Sequence, residues 1–241
     1  MRTILLIVLA LASGLSPLTS KANEHSSNTE DCVILLHGLG RSGASMLAVE
    51  WHLSRKGYTV ENITYPSLQH PIEQLSKLAI SEGLTKCATK NATTVHLVTH
   101  SLGGILLRHY LSEHAIPNLG RVVMLGPPNQ GSQLADQIQA SAVIKFLQPP
   151  AALQLGTGHN SVPKKLDAVS FDLGIIAGSK NYRPFIAQDI NEPNDGTVSI
   201  EETKVKGMND FIVLPVTHTF MMWDANALNQ VFSFINTGSF Q

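Results

Sequence analysis

Short apolar runs recur along this chain, and a stretch of helical periodicity separates each from the next. The runs lie at 32–36, 94–99, 121–125, 173–177 and 211–216, and 58–65 reads as a further strand. They are five to eight residues long and rich in Val, Ile and Leu, the pattern of strands covered on both faces. Helical patterns fall at about 44–56, 71–87, 102–114, 132–147 and 224–236, with Pro71 where a helix can begin and Gly83 as a weak point. Strands alternating with helices require right-handed crossovers. The expectation is an α/β domain with a mainly parallel central sheet and helices on both faces. In such sheets ligands bind beyond the carboxyl ends of the strands, so those ends are where chemistry is sought.

The 241 residues suit one domain with a full core. Seventeen basic against 18 acidic residues lack the electrostatic footprint of a nucleic-acid binder, and no nucleic-acid partner is expected. Two cysteines are too few for a disulfide scaffold or a zinc ribbon.

Residues 1–22 read as a secretory signal peptide. Arg2 precedes an unbroken apolar run over 4–12; Ser13, Gly14, Ser16 and Pro17 then break it, and Ser20 and Ala22 are small residues placed for cleavage near Ala22. The run is too short for the ~20 residues of a bilayer span, and an uncleaved amphiphilic anchor is the other reading. Residues 23–30 form a polar leader and 31–241 the domain. The mature chain is expected in the periplasm or outside the cell. An oxidising compartment permits a Cys32–Cys87 disulfide, stabilising by about 3–4 kcal/mol, while two separate small buried residues are the other reading.

Three strand ends carry unusual residues. At the first, 33–36 runs into His37-Gly38-Leu39-Gly40, followed by Arg41-Ser42-Gly43. Glycines there let backbone N–H groups approach a ligand. The phosphate-loop pattern is absent, the dinucleotide pattern fails in register, and an oxyanion loop remains. At the second, 95–99 passes through His100 and Ser101 into Leu102-Gly103-Gly104, so that Ser101 lies on a strand-to-helix turn where its Oγ projects outward. Ser81-Glu82-Gly83 matches the same short pattern inside a helix with no strand before it. At the third, His218 follows the last strand and precedes the last helix. His37 is expected to brace the glycine loop, and His96 to be a hydrogen-bonded core residue.

In order, the glycine loop, Thr99-His100-Ser101-Leu102-Gly103, an acid and a histidine resemble the α/β-hydrolase superfamily, particularly small bacterial secreted lipases and esterases. Gly126-Pro127-Pro128-Asn129-Gln130-Gly131-Ser132 is similar to a G-x-P-x-x-G-S segment of lipases, and Asn194-Asp195-Gly196-Thr197-Val198 to their acid loop. The resemblance spans about 31–238. Thr99 departs from it, standing where Gly or Ala is common, and its branched side chain needs room at a packed turn.

The resemblance implies Ser101 as nucleophile, His218 as general base and Asp195 as the orienting acid, while the loop after the 173–177 run also holds Asp189 as a competing carboxylate. It implies an oxyanion hole from the N–H groups of Leu39 and Leu102, and hydrolysis of carboxylic esters through an acyl-enzyme with no metal or cofactor. The expected substrate is a small-molecule or lipid ester, with transient membrane-surface contact. The alternatives are a catalytically inactive binding protein of this fold, and an amidase or thioesterase using the same residues. Residues 132–155 could line an acyl pocket, form a short lid or make an ordinary core-facing helix. Met221, Met222 and Trp223 could shape a pocket or simply pack.

Overall fold

The structure is a computed structural model that describes residues 31–140, 149–182 and 192–241, without the Ile138 side chain. The signal peptide at 1–22, the leader at 23–30, Asp189 and the segment 141–148 lie outside the described residues.

The apolar runs pair into one six-stranded sheet. Its strands are β1 (Asp31–Leu36), β2 (Thr59–Ile63), β3 (Thr94–His100), β4 (Leu119–Leu125), β5 (Leu173–Gly178) and β6 (Asp210–Leu214), in the order β2-β1-β3-β4-β5-β6. Every strand pair is parallel. The helices are α1 (Leu47–Ser54), α2 (Ile72–Thr89), α3 (Leu102–Glu113), α4 (Gln133–Ala140), α5 (Pro150–Leu153), α6 (Val162–Lys165), α7 (Ile200–Thr203) and α8 (Ala225–Thr237), with 3₁₀ turns at Gly43–Met46 and Met221–Trp223.

Side chains that alternate along each strand divide the core in two. Ile34, Leu97, Met124 and Ile175 face α2 and α3, packing with Leu75, Ile80, Ile105 and Leu106. Val33, Val98, Val123 and Ile176 face the other way, onto Val49 and Leu53 of α1 and Val231 and Phe234 of α8. Both faces are therefore covered, which explains why the strands read as continuous apolar runs.

Boundaries differ where local chemistry intervenes. The last strand stops at Leu214 because Pro215 has no N–H to continue the ladder. The second strand is only Thr59–Ile63, because Tyr65 turns inward to His37. Gly83 is a site of close approach: a Cβ there would lie 2.7 Å from Ile34 Cγ2, so α2 rests on β1 at that point. Ser81 is exposed on the opposite side.

Cys32, at the amino end of β1, is disulfide-linked to Cys87 near the carboxyl end of α2, with Cα atoms 5.8 Å apart. The link ties helix to sheet at the end remote from the carboxyl-edge loops. A closed loop with a sequence separation of 55 corresponds to about 4 kcal/mol of chain-entropy stabilisation. Cys32→Ser/Cys87→Ser is expected to lower the thermal midpoint by roughly 8–16 °C in a domain of this size, while specific activity well below the midpoint is retained. Two free thiols in the mass of the unreduced mature protein would end this expectation.

Candidate active site

Strand β3 becomes α3 within one residue, and that residue is Ser101. Its backbone angles are φ 52 and ψ −118. A non-glycine residue at positive φ costs of order 1–3 kcal/mol and persists only where its surroundings hold it. Here Ser101 N–H donates to Leu125 O at 2.9 Å, and Ser101 O accepts from Gly104 N–H at 3.0 Å. Although Ser101 occupies the N-cap position, its hydroxyl makes no capping bond. An ordinary serine cap has extended backbone and spends its oxygen on the helix. Ser101 does neither, and its side chain remains partly exposed.

Two glycines permit the turn. A Cβ at Gly103 would lie 2.7 Å from Leu36 O, and one at Gly104 would lie 3.3 Å from Thr99 Oγ1. The second approach shows how Thr99 fits: its side chain sits beneath a helical residue that has none. Thr99 is fully buried, and its Oγ1 has no hydrogen-bond partner among the described residues.

Ser101 opens onto a cavity of about 330 Å³ that also takes in Leu39, His100 and His218. His218, from the loop after β6, places Nδ1 2.7 Å from Asp195 Oδ2, within the loop between β5 and α7. The other oxygen, Oδ1, accepts from Thr197 N–H at 3.0 Å and Val198 N–H at 2.8 Å. With Asp195 Oδ2 accepting, Nδ1 carries the hydrogen and Nε2 keeps its lone pair. His218 N–H also donates to Asp195 O at 3.0 Å, joining the two loops by backbone as well as side chain. Asp172 pairs with Arg121 at the opposite end of the sheet. Asp189 lies outside the described residues.

Leu39 lines the same cavity from the glycine loop. Leu102 begins α3, where N–H groups have no intrahelical carbonyl to bind. His37 fixes the glycine loop: Nε2 accepts from Tyr65 N–H at 3.2 Å, the ring stacks on Tyr65 at 4.0 Å, and the Tyr65 hydroxyl donates to His37 O. Burial lowers the His37 pKa and favours the neutral ring these bonds need. His96 is a core residue whose Nδ1 accepts from Arg121 N–H at 2.9 Å.

Several participants have no clear mark in the sequence. His100, buried at the last position of β3, donates Nε2–H to His218 O at 3.0 Å, with its ring 4.7 Å from that of His218. Burial first, then the adjacent His218, holds its pKa well below the ordinary value, so it stays neutral. The only signal was its place directly before Ser101. The cavity's apolar wall comes from Pro128 and from Leu134, Ala135, Pro149, Ala152 and Leu155, and all but Pro128 lie within the segment 132–155 expected to line a pocket. Whether 141–148 covers it falls outside the described residues. Met221 and Met222 pack into the core instead, and Trp223 is exposed. The wall and the acid loop are bonded together: Gln133 N–H donates to Glu202 Oε1 at 2.7 Å, Asn129 Nδ2 to Thr203 O at 2.8 Å, and Ser132 Oγ to Thr197 O at 3.2 Å. Glu202 in turn closes a capping box with Ser199 at the start of α7.

This is the α/β-hydrolase fold. No protein-family model and no curated protein sequence matches the chain, but solved structures do. A mature Bacillus licheniformis lipase, BlEst2, superposes with a TM-score of 0.68 at 19% identity, over 88% of this chain and 93% of that one. The phospholipase PlaB of Legionella pneumophila gives 0.62 at 15% identity, over 87% and 60%. The Pyrococcus furiosus esterase PF2001 gives 0.61 at 16%, over 86% and 82%. At these identities the likeness establishes the α/β-hydrolase fold, and function has to be argued from the site.

Removing the unpaired Thr99 hydroxyl without changing its shape tests the packing of the turn. Thr99→Val is expected to raise stability by about 1 kcal/mol, read from denaturant midpoints. A lower midpoint would mean that Oγ1 has a partner.

Proposed function

We propose that this chain is a serine hydrolase cleaving carboxylic esters through an acyl-enzyme, with Ser101, His218 and Asp195 as its triad. The observation that carries the reading is Ser101 itself, a non-glycine residue at positive φ with a hydroxyl withheld from capping, sharing one cavity with a histidine bonded to a buried aspartate.

In the first half-reaction Ser101 Oγ attacks the ester carbonyl while His218 Nε2 takes its proton. Asp195 holds the tautomer and stabilises the imidazolium that forms. The N–H groups of Leu39 and Leu102 bind the oxyanion, each worth ~3–4 kcal/mol in the transition state. Collapse expels the alcohol with the proton from Nε2. Water then repeats the sequence and releases the acid. The apolar wall fits an acyl chain, so the substrate class is a small-molecule or lipid ester. Phe220 and Trp223, 65% and 55% exposed just after His218, support transient contact with an amphiphile surface. Export with cleavage near Ala22 belongs to the same proposal, and N-terminal sequencing of the mature protein tests it.

Ser101→Ala is expected to abolish both hydrolysis of chromogenic esters and fluorophosphonate labelling, with the fold retained by circular dichroism. Ser81→Ala is the matched control. Activity within tenfold of wild type in clean Ser101→Ala protein would sink the proposal.

Asp195→Asn keeps the shape but favours the wrong tautomer, a change that cost a serine protease about 10⁴ in rate. A kcat loss of at least several hundredfold, on the order of that precedent, is expected here. Asp189→Asn should cost under about threefold, as a residue with no turn former beside it. The reverse ranking would move the acid to Asp189.

A further inference from the structure

The cavity beside Ser101 has two unlike sides. One is the apolar wall from the loop after β4 together with α4 and α5. The other is the glycine loop and the residues around His218, where Arg41 stands at the rim. Arg41 is the one permanently charged side chain among the described residues that line this cavity. Its guanidinium is exposed and makes a long contact, Nη2 to Thr219 Oγ1 at 3.5 Å, and forms no ion pair among the described residues. Arginines at rest on a surface usually find a carboxylate or lie along apolar neighbours, whereas this one lines the cavity with no carboxylate partner among the described residues.

Its side of the cavity has chemical meaning. His218 must hand its proton to the departing alkoxide, so the alcohol leaves past His218. Thr219 is the next residue, and the long Arg41 contact reaches it. The acyl chain takes the opposite, apolar side. We infer that Arg41 selects esters whose alcohol portion carries an oxyanion, so that the preferred substrate is an anionic amphiphile with an apolar acyl chain and a phosphate or carboxylate beyond the ester oxygen. This rests on the ester-hydrolase reading and narrows it. The guanidinium suits either anion, because its paired N–H groups match two oxygens at once.

Three esters sharing one octanoyl chain test it: octanoyl glycerol, octanoyl glycerol 3-phosphate and octanoyl glyceric acid. The measured quantity is kcat/KM for each anionic ester relative to the neutral one. Wild type is expected to favour at least one anion by about tenfold, less so at high salt. The arm that gives the larger ratio identifies phosphate or carboxylate. Arg41→Gln and Arg41→Met are expected to lower that ratio about tenfold, with Arg41→Lys between. A ratio near one in wild type, or one that Arg41→Gln and Arg41→Met leave unchanged, overturns the inference while the ester-hydrolase reading stands. If no ester is cleaved and Ser101 takes no fluorophosphonate, the underlying reading fails and the inference falls with it.

Discussion

Helix α3 lies unusually close to the sheet at its first turn, and the arrangement of the carboxyl edge follows from that contact. A side chain at Gly103 would strike the backbone of Leu36, and one at Gly104 would crowd Thr99, Met124 and Pro127. With both side chains absent, the chain can leave β3 and enter α3 within a single residue. That residue must then adopt a positive-φ conformation, which turns its side chain away from the helix and toward the cavity. The strain at Ser101 is a local cost offset by packing and by the bond from its N–H to Leu125 O.

The other loops are fastened to this turn rather than merely near it. His100 reaches from the last position of β3 to the backbone of His218, and His218 reaches to the backbone and carboxylate of Asp195. Loops from β3, β5 and β6 thus share one hydrogen-bonded chain across the sheet edge. Neutrality of His100 is part of this. In the proposed mechanism a proton on its ring would place a second charge beside the His218 imidazolium, and burial disfavours that proton.

The strands and the turn at Ser101 were readable because their signals are local. Runs of Val, Ile and Leu mark strands buried on both faces, and a serine between such a run and a glycine-rich helix start marks a sharp turn. Asp195 was readable for a similar reason, since Gly196 and Val198 shape the loop around its carboxylate. Arg41 and Thr219 meet across 178 residues of sequence, and His100 and His218 across 118. No local pattern announces such contacts, because the order of the strands creates them. Met221 and Met222 were ambiguous for the complementary reason: an apolar pair beside a histidine looks the same whether it lines a cavity or fills a core. Only the placement of α8 on the sheet decides it.

The apolar wall of the cavity and the loop that carries Asp195 are one bonded body, through Gln133 with Glu202, Asn129 with Thr203 and Ser132 with Thr197. In the proposed hydrolase, chain-length preference and triad geometry are therefore not independently adjustable along this segment. Substitutions at Leu134 and Ala135 touch the cavity without touching those bonds, so a lineage adapting to new acyl groups has freedom there. At 129–133 the same lineage would disturb the acid each time it reshaped the wall, which channels diversification of substrate range into the helix and away from the loop that precedes it.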